Sequence, residues 1–333
     1  MDFVALGRES VCDPHLPEKI KEGRLDEILT CTGCMQRCLY PNSFEEGFGI
    51  SCMINPFSGK EHIWEITPAE KKKKIAVVGA GPVGLQAAWI LAKRGHEVKV
   101  YEKEITAGGQ YRLAAVPAMK QELAKTISTY LTFCKKYGAE VIYGVKATKE
   151  MLEQEGFDEI ILACGAQPLV PRIPGIDGEN VYLANQVLSF DVRLSGQKIL
   201  VLGAGLVGAE AAEVLSTYGN KVTVVDMLDK AAPLAPLRPR ENLLSRLDKA
   251  GVGFCLNSRV CEIRPDGIRY DQNGETKEMT GFDSIVLAFG SRSDKALETE
   301  YEGDHRIHSV GDCLTAGDAK KGIYEATKLA MVL

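Results

Sequence analysis

Apolar and polar positions along this 333-residue chain fall into two closely similar blocks. In the first, the apolar run IAVV at 75–78 leads through a glycine-rich turn into LQAAWILAKRG, apolar at helical spacing, and then into EVKVYE at 97–102. In the second, ILVL at 199–202 is followed by GLVGAEAAEVLSTYG and KVTVVD at 221–226. A short apolar run, a turn and a 3.6-residue periodicity predict strand, helix, strand. Gly95 and Gly219 stand where a helix would end on a left-handed residue. EIILACG (159–165) and SIVLAFG (284–290) predict two more buried strands, each ending on a glycine where a strand's C-terminal end would meet a nucleotide.

The rest of the chain is organised around these blocks. PLVPRIPGIDG (168–178) is rich in proline and reads as an extended crossing between domains. HSVGDC (308–313) and a helical KGIYEATKLAM after it have no counterpart following the first block, so the first domain is expected to be discontinuous, with the second inserted into it. Residues 2–8 (DFVALGR) read as a lone apolar strand, and CDPHLPEKIKEGRLDEI as a proline-initiated helix.

The two blocks carry the same chemistry. Gly79, Gly81 and Gly84 recur 124 residues later as Gly203, Gly205 and Gly208, and Glu102 recurs as Asp226. In each triplet the first glycine permits a tight turn, the second lets backbone approach a pyrophosphate, and the third lets helix pack on strand. The phosphates would sit at the helix N-terminus and the acid would bind ribose hydroxyls. A carboxylate at 226 repels a 2′-phosphate and Met227 and Leu228 bring no cation, which favours NADH over NADPH; Lys230 and Arg238 are the nearby cations that could reverse this. Two dinucleotides in one chain point to electron transfer between cofactors.

A net charge of −5 and a pI near 5.7 give no footprint for nucleic acid, and the basic run Lys71–Lys74 is short. No apolar stretch reaches membrane-spanning length and no signal-peptide core is present, so a cytoplasmic location without membrane contact is expected. Of ten cysteines, Cys31, Cys34, Cys38 and Cys52 cluster as C-x2-C-x3-C-x13-C. Four thiolates suit a [4Fe–4S] cluster or a tetrahedral zinc, and three in one tight loop with a distant fourth favour the cubane over zinc or unliganded thiols. Cys12, Cys134, Cys164, Cys255, Cys261 and Cys313 read as buried small hydrophobes. The stretch AGGQYRLAAVPAMK (107–120) lacks the C-x2-C or C-x4-C pair of a disulfide reductase, and none of the five histidines pairs with a nucleophile. No acid–base catalyst is assigned.

Together these residues resemble the C-terminal half of the 2,4-dienoyl-CoA reductase, enoate reductase and trimethylamine dehydrogenase group of the old yellow enzyme family. The resemblance rests on DFVALGR, CTGCMQRC with SCMINP, VVGAGPVG, YEK with AGGQ, ACGAQPLVPRIPG, VLGAGLVG and SVGDC. It implies an α/β fold of two nested Rossmann-like dinucleotide-binding domains in a glutathione-reductase-like arrangement, preceded by the remnant of a TIM barrel and a four-cysteine loop. The boundaries expected are 1–30 for the barrel remnant, 31–70 for the cluster segment, 71–167 with 290–333 for the FAD domain, and 168–289 for the NAD(P)H domain. The resemblance also implies that Gly7 and Arg8 contact FMN phosphate and that the four cysteines hold [4Fe–4S]. It places FAD against Glu102, Gln110, Lys120, the backbone near Ala147, and the Gly311–Asp312 turn, with the nicotinamide nucleotide on the second glycine triplet. Two departures stand out: the last cysteine gap is a residue or two longer than the family's, so loop 39–51 is expected to be remodelled, and the FMN barrel that would carry substrate is absent, to be supplied by a longer chain or a separate one. The expected function is an electron relay from NADH through FAD and the cluster to FMN, reducing an enoyl- or dienoyl-type alkene. Alternatives are a non-catalytic ADP-binding module, as in the trimethylamine dehydrogenase branch, and a flavoprotein akin to the glutamate synthase small subunit.

Overall fold

The computed structural model describes residues 3–39 and 49–333, which form two compact units. The first comprises Met1–Ala115, Gln121–Gln167 and Arg292–Leu333; the second comprises Val116–Lys120 and Pro168–Ser291.

The first unit is built on five parallel strands: β1 (Lys74–Val78), β2 (Glu97–Glu102), β3 (Glu140–Tyr143), β4 (Glu159–Leu162) and β15 (Ile307–Ser309), in the order β15-β4-β1-β2-β3. The last strand comes from the far end of the chain. Parallel strands covered on both faces read as unbroken apolar runs, and IAVV at 75–78 is buried throughout. Ile75 and Val77 pack on one side with Leu85 and Ile90 of α3 (Pro82–Lys93), Tyr130 of α5 (Glu122–Tyr137) and Ile323 of α11 (Ala319–Val332). Ala76 and Val78 pack on the other with Leu152 of α6 (Lys149–Glu155), Phe157 and Tyr301. Helix α3 is buried from Gly84 to Ala92, apolar nearly all round because other helices cover it. Pro82 opens α3, and Gly95, at φ +99°, follows its end.

The second unit repeats the plan with β6 (Val181–Leu183), β7 (Lys198–Leu202), β8 (Lys221–Val225), β9 (Gly253–Cys255) and β13 (Ser284–Leu287), all parallel in the order β6-β13-β7-β8-β9. Its helices are α7 (Ala184–Leu188), α8 (Leu206–Ser216) and α9 (Leu237–Lys249). It also contains an antiparallel sheet of β10 (Ser258–Arg264), β11 (Gly267–Gln272) and β12 (Glu275–Thr280), which the reading of the sequence did not anticipate. Ile263, Ile268 and Tyr270 from that sheet pack on Leu200, Leu202 and Ile285. The pair β5 (Ala166–Pro168) and β14 (Ser291–Ser293) carries the chain out of the first unit and back.

The N-terminal segment departs from expectation. Residues 3–7 form no strand, and Arg8–Cys12 is instead the short helix α1. A strand is stabilised by ladder partners, and among the described residues none lies beside this one; Phe3 and Val4 are exposed. The proline-initiated helix is α2 (Leu16–Lys21), with Pro17 in its first turn. Residues 40–48, most of the loop expected to be remodelled, lie outside the described residues.

Candidate functional site

Each glycine triplet forms a cradle with the same hydrogen-bond skeleton. In the first, Gly79 N–H donates to Tyr101 O (2.8 Å) and Ala80 N–H to Glu102 Oε2 (2.8 Å), while Glu104 N–H donates to Glu102 Oε1 (2.9 Å). In the second, Gly203 N–H donates to Val225 O (2.8 Å), Ala204 N–H to Asp226 Oδ2, and Leu228 N–H to Asp226 Oδ1 (2.8 Å). Both acids therefore shape their own loop through one backbone N–H per oxygen and keep further lone pairs for a ligand. Glu102 is 5% exposed, whereas Asp226 is half-buried.

The glycines behave as the spacing requires. Gly79 sits at φ +108° and Gly203 at φ +111°, and a Cβ on either would strike the carbonyl of Ala163 or of Ala288 just beyond the neighbouring strand. A Cβ on Gly84 or Gly208 would run into the carbonyl oxygen of Gly79 or Gly203. At Gly81 and Gly205 the space is open, and these residues cap α3 and α8 without any side-chain bond to the helix N–H groups. An open backbone at the N-terminus of a helix of eleven or twelve residues fits a pyrophosphate at both places.

The remaining nucleotide residues are distributed unevenly. The segment before Gln110 reaches the first cradle: Gly108 N–H donates to Ala80 O (2.8 Å), and Gly109 lies against Gly81. Gln110 opens α4 (Gln110–Ala114), and its amide donates to Ala166 O. Ala147 follows a segment held by Val145 N–H on Glu102 O (2.9 Å). Gly311, at φ +63°, begins a turn against the first residues of α3, where a Cβ would come within 3.0 Å of Val83 Cγ2. Burial raises the pKa of Asp312, which accepts Gly317 N–H at 3.0 Å. Lys120 is held elsewhere: it pairs at 2.7 Å with Glu210 on α8, within the second unit. Burial outweighs that lysine and raises the Glu210 pKa. Of the two cations weighed against Asp226, Lys230 is exposed and Arg238 pairs with Glu241 at 3.2 Å.

The four clustered cysteines are half-buried, and Cys31, Cys34 and Cys52 pack against the first unit's core. Glu9 Oε2 accepts Cys31 N–H at 2.7 Å. Cys12, read from sequence as a core residue, is indeed fully buried but also lies in the cluster, donating to Leu29 O at 3.1 Å and bonding the Cys52 thiol. That bond, with the backbone N–H groups of Ile54 and Asn55, lowers the Cys52 pKa to about 7 against burial. Burial raises the pKa of Cys34 and Cys38; Gln36 N–H opposes it at Cys34, and Arg8 acts as an opposing charge at Cys38. Gly7 is the N-cap and Arg8 the first residue of the five-residue α1, and the Arg8 charge is felt at Cys38. Among the described residues no three His, Cys, Asp or Glu side chains converge to hold a single metal ion. Partial burial, mutual charge effects and backbone N–H groups at Cys34 and Cys52 suit a site that binds these sulfurs as thiolates.

Of the other cysteines, Cys134 and Cys313 are buried as expected, but Cys164, Cys255 and Cys261 are only half-buried. Cys255 ends β9 beside Ser258 Oγ (3.2 Å), and Cys261 on β10 donates to Asp271 Oδ2 (3.2 Å). In the run 71–74, Lys73 pairs with Glu159 (2.7 Å) and Lys74 with Glu155 (3.0 Å). Glu159 additionally meets His308 Nε2 at 2.8 Å; burial opposes its charge, but Lys73 and His308 prevail and lower its pKa. Among the described residues no helix is long and apolar enough to cross a membrane.

The sequence profile described as pyridine nucleotide-disulphide oxidoreductase matches residues 73–324, spanning both cradles. The chain belongs to this family. It carries the FAD- and NAD-type Rossmann-like fold of that family. It is 35% identical to an NADH oxidase of Thermoanaerobacter brockii, over 95% of this chain and 51% of that protein. It is 32% identical to a cinnamate reductase of Clostridium sporogenes, over 99% of this chain and 49% of that one. A solved 2-naphthoyl-CoA reductase, in complex with 2-naphthoyl-CoA, superposes with a TM-score of 0.91 at 31% identity, over 98% of this chain and 50% of that structure. The chain thus spans about half the length of the relatives it matches, and they bear out the resemblance to the C-terminal half of the dienoyl-CoA reductase and enoate reductase group drawn from its motifs.

Proposed function

We propose that the chain is an electron-transfer module in which the first cradle holds FAD, the second holds NADH, and Cys31, Cys34, Cys38 and Cys52 hold a [4Fe–4S] cluster. When bound, these groups would supply hydride acceptance and its division into single electrons, destined for FMN on a TIM-barrel domain that reduces an enoyl- or dienoyl-type alkene. The residues of the chain supply position and charge. Gly81 and Gly205 leave room for pyrophosphate at two helix N-termini, Glu102 and Asp226 offer carboxylates to ribose, and the Gly311–Asp312 turn closes on the start of α3. At the cluster, Ile54 and Asn55 N–H groups point at Cys52 and favour its thiolate form.

The observation that carries this reading is the duplicated cradle, bond for bond at an offset of 124 residues, with the cysteine set in the same unit as the first copy. The relatives' names, an NADH oxidase, a cinnamate reductase and a 2-naphthoyl-CoA reductase, support NADH as donor and an activated alkene as the class of final acceptor. The test is anaerobic addition of NADH to FAD-replete, iron-loaded protein, alongside flavin, iron and acid-labile sulfide analysis. Bleaching of the flavin band with about four irons per chain is expected. An unchanged spectrum with FAD demonstrably bound would favour the non-catalytic nucleotide module.

A further inference from the structure

Two cysteines outside the cluster are brought together by the sheet. Strands β4 and β15 are parallel neighbours with Ser309 opposite Leu162, and Val310 N–H donates to Leu162 O at 3.0 Å. Cys164 lies two residues beyond that register position and Cys313 four, and the turn at Gly311–Cys313 brings the second thiol back to the first, where the two hydrogen-bond. Asp294 ties both segments down: its N–H donates to Gly165 O (3.1 Å), and its carbonyl accepts Cys313 Sγ–H (3.3 Å). Both cysteines pack into the same apolar cluster, Cys313 1% exposed and Cys164 half-buried. A disulfide needs Cα atoms about 4.4–6.8 Å apart, and the shared Asp294 clamp with the thiol–thiol hydrogen bond holds the two side chains together for it. Only a small oxidant can reach a pair this enclosed.

We propose that Cys164 and Cys313 are a dithiol site that hydrogen peroxide converts to an intramolecular disulfide, fastening the Gly311–Asp312 turn to the end of β4 beside the first cradle. In the first step one thiol takes an oxygen from peroxide, becoming a sulfenic acid and releasing water. In the second, the other sulfur attacks it, the S–O bond breaks, the S–S bond forms and a second water leaves; two thiols and one peroxide give one disulfide and two waters. Either order gives the same product. The hydrogen bond between the thiols lowers the Cys313 pKa and raises that of Cys164, so the pair holds one proton between them once the first is lost. The new bond would stiffen two walls of the cradle, because Gly311 rests on Val83 of α3 and Ala163, next to Cys164, rests on Gly79.

The test is peptide mapping of the FAD-replete chain after exposure to stoichiometric peroxide, blocking with N-ethylmaleimide and non-reducing digestion. The expected product joins the Cys164 and Cys313 peptides, is undone by dithiothreitol, leaves Cys134 as a thiol, and is accompanied by a thermal midpoint several degrees higher. Recovery of both residues as blocked thiols at doses that oxidise Cys261 would overturn the proposal. So would sulfinic acid at Cys164 with Cys313 still a thiol, or either residue joined to another cysteine. In Cys313→Ser, Cys164 should over-oxidise and the thermal shift should vanish; should that variant fail to fold, Cys164→Ser provides the converse arm and the wild-type map still decides.

Discussion

In the first cradle the N–H of Lys73, just ahead of β1, ends on His96 Nδ1 at 3.2 Å; in the second, the N–H of Gln197, 124 residues on, ends on Asn220 Oδ1 at 2.9 Å. The bond is kept while the acceptor changes. One residue later the bond and the kind of acceptor are both kept, the Lys74 and Lys198 N–H groups ending on Asp158 and Asp283, each at 2.8 Å. Where Gly108 N–H donates to Ala80 O in the first copy, Ala232 N–H donates to Ala204 O in the second, at φ +47°. What the fold holds constant is a backbone pattern that leaves Gly81 and Gly205 open; what it lets vary are the side chains that complete the pattern. Those variations set how each copy responds to charge and pH.

The sharpest way to break this equivalence is to fill the third glycine. Gly84→Ala and Gly208→Ala each push a Cβ into the carbonyl of the first glycine, at an expected cost of about 1–3 kcal/mol by overpacking. Gly84→Ala should lose FAD and keep NADH binding; Gly208→Ala should do the reverse. Equilibrium dialysis with each cofactor decides, and loss of the same cofactor in both variants would end the assignment of one nucleotide per cradle.

A smaller effect is expected at the acids. Asp226→Ser removes the carboxylate that holds Ala204 and Leu228 N–H, worth about 1.5–3 kcal/mol for a charged acceptor. NADH affinity should fall at least tenfold and the preference over NADPH should narrow, measured as the ratio of the two dissociation constants. Glu102→Gln should leave that ratio unchanged, and a shift there would mean that the first acid, not the second, reads the nicotinamide nucleotide.

The smallest effect is pH-dependent. Burial, with Arg94 and Lys73 nearby, lowers the His96 pKa below its usual 6.5, and the ring must stay neutral to accept Lys73 N–H. The unfolded chain therefore takes up the proton first, and the first unit should lose stability as pH falls below 6.5 until the folded ring also titrates. His96→Asn, which copies the second unit, should flatten that slope in thermal melts recorded on either side of pH 6.5; an unaltered slope would assign the acid sensitivity to other groups.

The parallel strands, the glycine turns and both acids were legible because each rests on local pattern: apolar runs, fixed spacing and a repeat. The antiparallel sheet was missed although Asn273-Gly274, both at positive φ between β11 and β12, is a hairpin signal visible in the sequence. Cys12 at the cluster, the Cys164–Cys313 pair and the Lys120–Glu210 bridge depend on contacts across 40, 149 and 90 positions, which no local periodicity encodes. The strand expected at 2–8 shows the converse, since an apolar run forms a strand only beside partners that the described residues do not supply.

Whether the second cradle feeds the first is decided by an anaerobic NADH titration of FAD-loaded wild type and Gly208→Ala, followed in the visible flavin band. The wild-type flavin should bleach at stoichiometric NADH while the variant, still holding FAD, should not; equal bleaching in both would mean that electrons reach the flavin without the second cradle.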